Sequence, residues 1–205
     1  MKSFFIDAGF IQLEANLREP AGGLRGAAVV CHPHPVYGGT MDNRVVYRAA
    51  KAAAQHGYAA LRFNFRGAGK STGQFDQGIG ERDDASAALR GVEARYPGFD
   101  LAMVGYSFGA WVGLDVGIAA EGVKALVGVG LPLNMYDLGY LASSDKPALY
   151  IVGSNDEFCS RENLDRFASR LSATASVHRI EGSDHFFNGY IDVVEKLIAD
   201  FFTQL

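Results

Sequence analysis

The chain has 205 residues, enough for one sizeable core, and a globular composition of 48% hydrophobic and 20% charged residues. A formal net charge of −4, with no cluster of Lys and Arg, excludes a nucleic-acid partner that would demand a row of neutralised phosphates. No stretch reaches the roughly 20 apolar residues that cross a bilayer, and Asp7 breaks the N-terminal apolar run too soon for a signal peptide, so no membrane partner and a cytoplasmic location are expected.

Along the chain, the first residues from Met1 to Arg18 alternate loosely and predict two antiparallel strands. Short apolar runs follow at Ala27–Cys31, Tyr58–Phe65, Leu101–Gly105, Val123–Val129, Ala148–Val152 and Ser176–Ile180. Between them apolar residues fall at helical spacing: Val46, Ala49, Ala50 and Ala53, then Ala85, Ala88, Leu89 and Val92. Trp111 to about Ala119 continues the pattern, as do Leu164, Phe167, Ala168 and Leu171, and finally a long stripe from Tyr190 to Phe202. Apolar strands alternating with helices predict a mostly parallel, twisted α/β sheet covered on both faces. Right-handed crossovers put the strand-to-helix loops at the C-terminal edge of such a sheet, where its sites lie. With no repeat, linker or low-complexity tract, residues 1–205 are expected to form a single domain. Of the two cysteines, Cys31 and Cys159, the first ends an apolar run, where a buried free thiol is expected rather than a disulfide.

The chemistry concentrates at Val104-Gly105-Tyr106-Ser107-Phe108-Gly109-Ala110, between an apolar strand and a helix. Gly-x-Ser-x-Gly in that setting is a nucleophile elbow: a tight turn that stands the Ser107 hydroxyl clear of the sheet and aims the Phe108 N–H at a developing oxyanion. The elbow calls for an acid and then a histidine later in the chain. His185, in the loop after the last predicted strand, fits the base, whereas His178 falls inside that strand. Asp156, in Gly153-Ser154-Asn155-Asp156-Glu157 after the preceding strand, fits the acid. Glu157 sits one position late, and Asp184 adjoins the histidine and suits the turn better.

Two other features resolve into decoys. Gly67-Ala68-Gly69-Lys70-Ser71-Thr72 looks like the end of a phosphate-binding loop, but Asn64 stands where that motif needs its first glycine. His32 and His34 alternate along a proline-stiffened segment and so point to opposite sides, with no carboxylate or thiol at ligand spacing. No metal or organic cofactor is expected.

The stretch Cys31-His32-Pro33-His34-Pro35-Val36-Tyr37-Gly38-Gly39-Thr40-Met41-Asp42-Asn43 closely resembles the lidless bacterial α/β hydrolases that carry a CHPHP-x-x-GG-T-M-x-N signature. Asn64-Phe65-Arg66-Gly67-Ala68-Gly69-Lys70-Ser71, with Gly73 and Phe75-Asp76, is similar to the next segment of that group, and the resemblance runs from about residue 25 to the C-terminus. It implies the α/β-hydrolase fold and a dienelactone-hydrolase-like serine esterase, although dienelactone hydrolases themselves use cysteine where Ser107 stands here. Many α/β hydrolases follow this strand with His-Gly, and the next residue supplies the second oxyanion N–H; here His32-Pro33 replaces that pair. His34 is then the expected donor, with Val36 and Tyr37 as alternatives, since Pro33 and Pro35 have no N–H.

The segment Gly130–Pro147 is too short for a helical lid domain. An open site is therefore expected, walled by Tyr37, Phe75, Phe108, Leu133, Met135, Tyr136, Phe158 and Phe186. Such walls suit small acyl or aryl esters, the expected partners. An amidase or peptidase acting on small acyl-peptides, and a non-catalytic binding protein of the same fold, are the rival readings; the oligomeric state is not legible.

Overall fold

A computed structural model describes residues 3–205; Met1 and Lys2, the start of the first expected strand region, lie outside the described residues. The chain opens with a hairpin, β1 (Ser3–Ala8) and β2 (Ile11–Arg18), then β3 (Gly26–Cys31). Strands and helices alternate from there: α1 (Arg44–Gln55), β4 (Tyr58–Phe63), α2 (Ile79–Arg95), β5 (Asp100–Tyr106), α3 (Phe108–Ala119) and β6 (Val123–Val129). The rest comprises β7 (Ala148–Gly153), α4 (Arg161–Ala168), β8 (Ala175–Ile180) and α5 (Ile191–Gln204).

The eight strands form one sheet in the order β1-β2-β4-β3-β5-β6-β7-β8. β2 runs antiparallel to both of its neighbours, and every pairing from β4 to β8 is parallel. Strand period sorts the core into two layers. Ala27, Val29, Cys31, Leu101 and Met103 face one layer, which takes in residues of α2, α3 and α4. Their alternates Ala28, Val30, Ala102, Val104 and Tyr106 face the other, covered by the alanine-rich side of α1 and by Val194, Ile198 and Phe202 of α5.

Several ends differ from expectation by a residue or so, and α4 stops at Ala168, short of Leu171; two others differ for clear local reasons. β4 stops at Phe63 rather than running to Phe65, because the Phe65 N–H leaves the ladder and donates to His32 Nε2 at 2.9 Å. α3 begins at Phe108 rather than Trp111, because the serine turn opens straight into the helix. Both cysteines are buried free thiols; burial pushes the Cys159 thiol up to about 12 and that of Cys31 higher still.

The connection from β3 leads to β4 on one side, and the chain then crosses β3 to reach β5 on the other. The crevice beyond the C-terminal ends of β3 and β5 is therefore the topological switch point, where an open α/β sheet binds its ligands. Among the described residues no helix is long and apolar enough to cross a membrane.

Candidate active site

Ser107 sits between β5 and α3 with φ 55° and ψ −120°, a left-handed conformation that costs a non-glycine residue of order 1–3 kcal/mol. The neighbouring glycines allow the turn. A Cβ on Gly105 would lie 2.4 Å from the Gly109 carbonyl oxygen, and one on Gly109 would lie 2.5 Å from the carbonyl oxygens of Cys31 and His32. The elbow is thus wedged against the end of β3, and the Ser107 N–H is tied to the Val129 carbonyl of β6 at 2.9 Å.

His185 follows β8 and reaches back over the sheet edge. Its Nε2 lies 3.0 Å from Ser107 Oγ, and its Nδ1 lies 2.8 Å from Asp156 Oδ2. Asp156, in the loop after β7, is shielded from solvent and accepts the Phe158 N–H through its other oxygen at 2.8 Å. With Nδ1–H donated to the carboxylate, the Nε2 lone pair is left facing the serine hydroxyl. The rival residues lie elsewhere. Glu157 is exposed, His178 is exposed on β8, and Asp184 accepts both the backbone N–H and the side-chain amide of Asn188, closing the turn before α5.

Tyr106 was not among the expected site residues, yet it buttresses the histidine. Its hydroxyl donates to the His185 carbonyl at 3.1 Å, and the two rings stack with centroids 5.7 Å apart. The strand period carried that signal: Ala102, Val104 and Tyr106 share a face.

Ser107 opens into a cavity of about 430 Å³. Tyr37, Phe108, Met135, Tyr136, Phe158 and Phe186 line it as expected, together with His34, Pro33, Pro132 and Asn43. Asn43 also caps α1, accepting the Val45 N–H at 2.9 Å, so its place beside the cavity follows from where that helix starts. Two expected wall residues are corrected. Phe75 stands behind the wall, its ring 4.7 Å from that of His34 and 5.8 Å from that of Phe108. Leu133 faces a different surface cleft, beside Asn163 and Phe167. Loop residues lack a period that would fix which way they turn.

His34 and His32 do point apart. His34 lines the cavity, and burial lowers its pKa. His32 is fully buried; its Nε2 accepts the Phe65 N–H while Nδ1 contacts the Pro33 carbonyl at 2.6 Å, and burial holds its pKa down to about 4. The glycine-rich segment 67–72 folds onto β2, with Ser71 Oγ donating to the Asn64 carbonyl at 2.7 Å and accepting the Glu14 N–H at 2.9 Å. Its hydroxyl is committed to the fold. Among the described residues no three His, Cys, Asp or Glu side chains are grouped to hold a metal.

Known proteins share this arrangement of chain. An uncharacterized protein of Rickettsia prowazekii is 37% identical over 183 residues, which cover 85% of this chain and 77% of that protein. An α/β serine hydrolase homologue from Coxiella burnetii matches with a TM-score of 0.91 at 34% identity, covering 97% of this chain and 96% of its own. An α/β serine hydrolase without a lid from Xanthomonas campestris matches with a TM-score of 0.87 at 30% identity, covering 99% and 94%. In this chain a short 3-10 turn, Gly139–Ser143, stands between β6 and β7. Residues 8–144, which carry the serine elbow and the cavity loop after β3, match the X-Pro dipeptidyl-peptidase (S15) family, and the chain is a member of that family with the α/β-hydrolase fold.

Proposed function

We propose that the chain is a serine carboxylesterase for small, uncharged acyl or aryl esters. Ser107 is the nucleophile, His185 the general base, and Asp156 the acid that orients it. The observation carrying this reading is the hydrogen-bonded line from Asp156 Oδ2 through His185 to Ser107 Oγ, at 2.8 and 3.0 Å. Ser107 Oγ bonds to the ester carbonyl carbon while its proton passes to His185 Nε2; that proton then goes to the departing alkoxide. Water, deprotonated by the same nitrogen, attacks the acyl-enzyme and frees Ser107. The chemistry requires no cofactor.

The oxyanion takes its donors from two backbone sites. The Phe108 N–H is the first of α3 and so has no partner within the helix. In the loop after β3, the Val36 N–H donates to His34 Nδ1, those of Tyr37 and Gly39 to the His34 carbonyl, and that of Gly38 to the Pro35 carbonyl. These commitments favour the N–H of His34 itself as second donor over Val36 and Tyr37.

The family name favours a peptidase as the second reading. A substrate of an X-Pro dipeptidyl-peptidase carries a free α-ammonium two residues from the scissile bond, and burying that charge without a partner is costly. Among the described residues no Asp, Glu, Lys or Arg lines this cavity, which favours neutral esters. Comparing p-nitrophenyl butyrate with butyryl p-nitroanilide and Gly-Pro p-nitroanilide separates the two readings. The ester should be turned over with the highest kcat/KM by orders of magnitude; preference for the Gly-Pro anilide would reverse the assignment.

A further inference from the structure

Tyr136 stands on the cavity wall in the β6–β7 connection, a segment with one 3-10 turn to give it regular structure. What holds the tyrosine is a stack rooted in α3. Its ring lies parallel to the indole of Trp111, with centroids 4.1 Å apart and planes 8° apart. The Arg82 guanidinium lies over the same indole at 4.5 Å, fixed in turn by Asp115 at 2.6 Å and the Gly78 carbonyl at 2.7 Å. Gly78 approaches so closely that a Cβ there would fall 2.4 Å from the indole. The Tyr140 hydroxyl, from the same connection, donates to the Trp111 carbonyl at 2.5 Å. Trp111 itself does not line the cavity.

We propose that Trp111 is a specificity-determining positioning residue, a role that rests on the esterase reading above. Aromatic stacking and the cation over the ring hold the indole in one place, and the indole holds Tyr136. The wall beside Ser107 is therefore rigid although its backbone is irregular. A rigid wall rejects acyl groups that exceed the space it leaves. If the wall could move aside, each extra methylene would find apolar surface, worth roughly a factor of four in binding. Trp111 lies one helical turn beyond Ser107, so its loss alters the wall while leaving the Ser107–His185 contact to other groups.

The test measures kcat and KM for p-nitrophenyl acetate, butyrate and octanoate with the wild-type protein, Trp111→Phe, Trp111→Leu and Tyr136→Leu. Trp111→Phe, which can still stack, should keep the wild-type preference. Trp111→Leu should raise the octanoate-to-butyrate ratio of kcat/KM about tenfold, the gain from burying one to two of the four extra methylenes, through KM rather than kcat. Tyr136→Leu removes the wall without touching α3 and should shift the ratio in the same direction, which keeps the test intact if Trp111→Leu fails to fold. An unchanged ratio in Tyr136→Leu, or an unchanged ratio in a folded Trp111→Leu protein, overturns the proposal. Wild-type protein that hydrolyses none of the esters overturns the esterase reading instead. A second readout needs no turnover. Trp111 is the only tryptophan in the chain, so acrylamide quenching of its fluorescence reports on its cover. Quenching should rise in Tyr136→Leu, and unchanged quenching contradicts the stack.

Discussion

His185 presents its Nδ1 to Asp156 Oδ2 at 2.8 Å, with both side chains almost wholly withdrawn from solvent. A buried carboxylate in that position selects the tautomer whose Nε2 can accept a proton and stabilises the imidazolium formed during attack. Asp156→Asn should therefore lower kcat by about 10⁴, the size of the effect in a serine protease. Asp184→Asn should cost far less, since Asp184 closes a turn through Asn188, and Glu157→Gln should cost almost nothing, since its carboxylate is exposed. Kinetics of the three variants at saturating p-nitrophenyl butyrate check this. A larger loss in either of the last two would move the acid elsewhere.

Chain length in the acyl group is the next expectation. A cavity of about 430 Å³ with no lid over it buries a short acyl chain and leaves a long one in water. Each buried methylene contributes about 0.8 kcal/mol, so kcat/KM should climb from acetate to roughly a six-carbon acyl group and fall for longer chains, which outrun the space the wall leaves. Strong activity on long-chain esters that switches on at a lipid interface would contradict this.

His32 gives the fold a defined acid sensitivity. Burial lowers its folded pKa from 6.5 to about 4. Above pH 6.5 the ring is neutral in both states and costs nothing. Between pH 6.5 and 4 the unfolded chain takes up a proton that the folded chain refuses, so stability falls as pH falls, by about 3 kcal/mol over the whole window. Urea unfolding at pH 7 and pH 5 should show the loss, and His32→Gln, which can still accept the Phe65 N–H, should flatten it. An equal drop in both proteins would place the acid sensitivity in other groups.

What the sequence made legible follows physical lines. The β-strands and helices were readable because burial on two faces imposes apolar runs and helical stripes, and the strand–serine–helix junction was readable because its glycines answer to close contacts that only glycine permits. Asp156 and His185 follow from the order of strands and loops, together with the unsuitable positions of Glu157, Asp184 and His178. The cavity walls were less legible: Tyr136 and Phe158 were expected and line it, but Phe75 and Leu133 turn away, since side-chain direction in a loop depends on contacts that no period records. Tyr106 shows the opposite case. Its role hangs on the parity of β5, a signal present in the sequence right beside the serine.

The most direct test of the account is labelling with a fluorophosphonate probe, followed by mass spectrometry of the digested protein. Acyl transfer through the elbow predicts one adduct, on the peptide bearing Ser107, formed in step with the loss of esterase activity. Ser107→Ala should take no label and should lose turnover by a factor on the order of 10⁶. An adduct on another residue, or a Ser107→Ala protein that keeps more than a few per cent of the activity, would contradict the assignment of Ser107 as nucleophile.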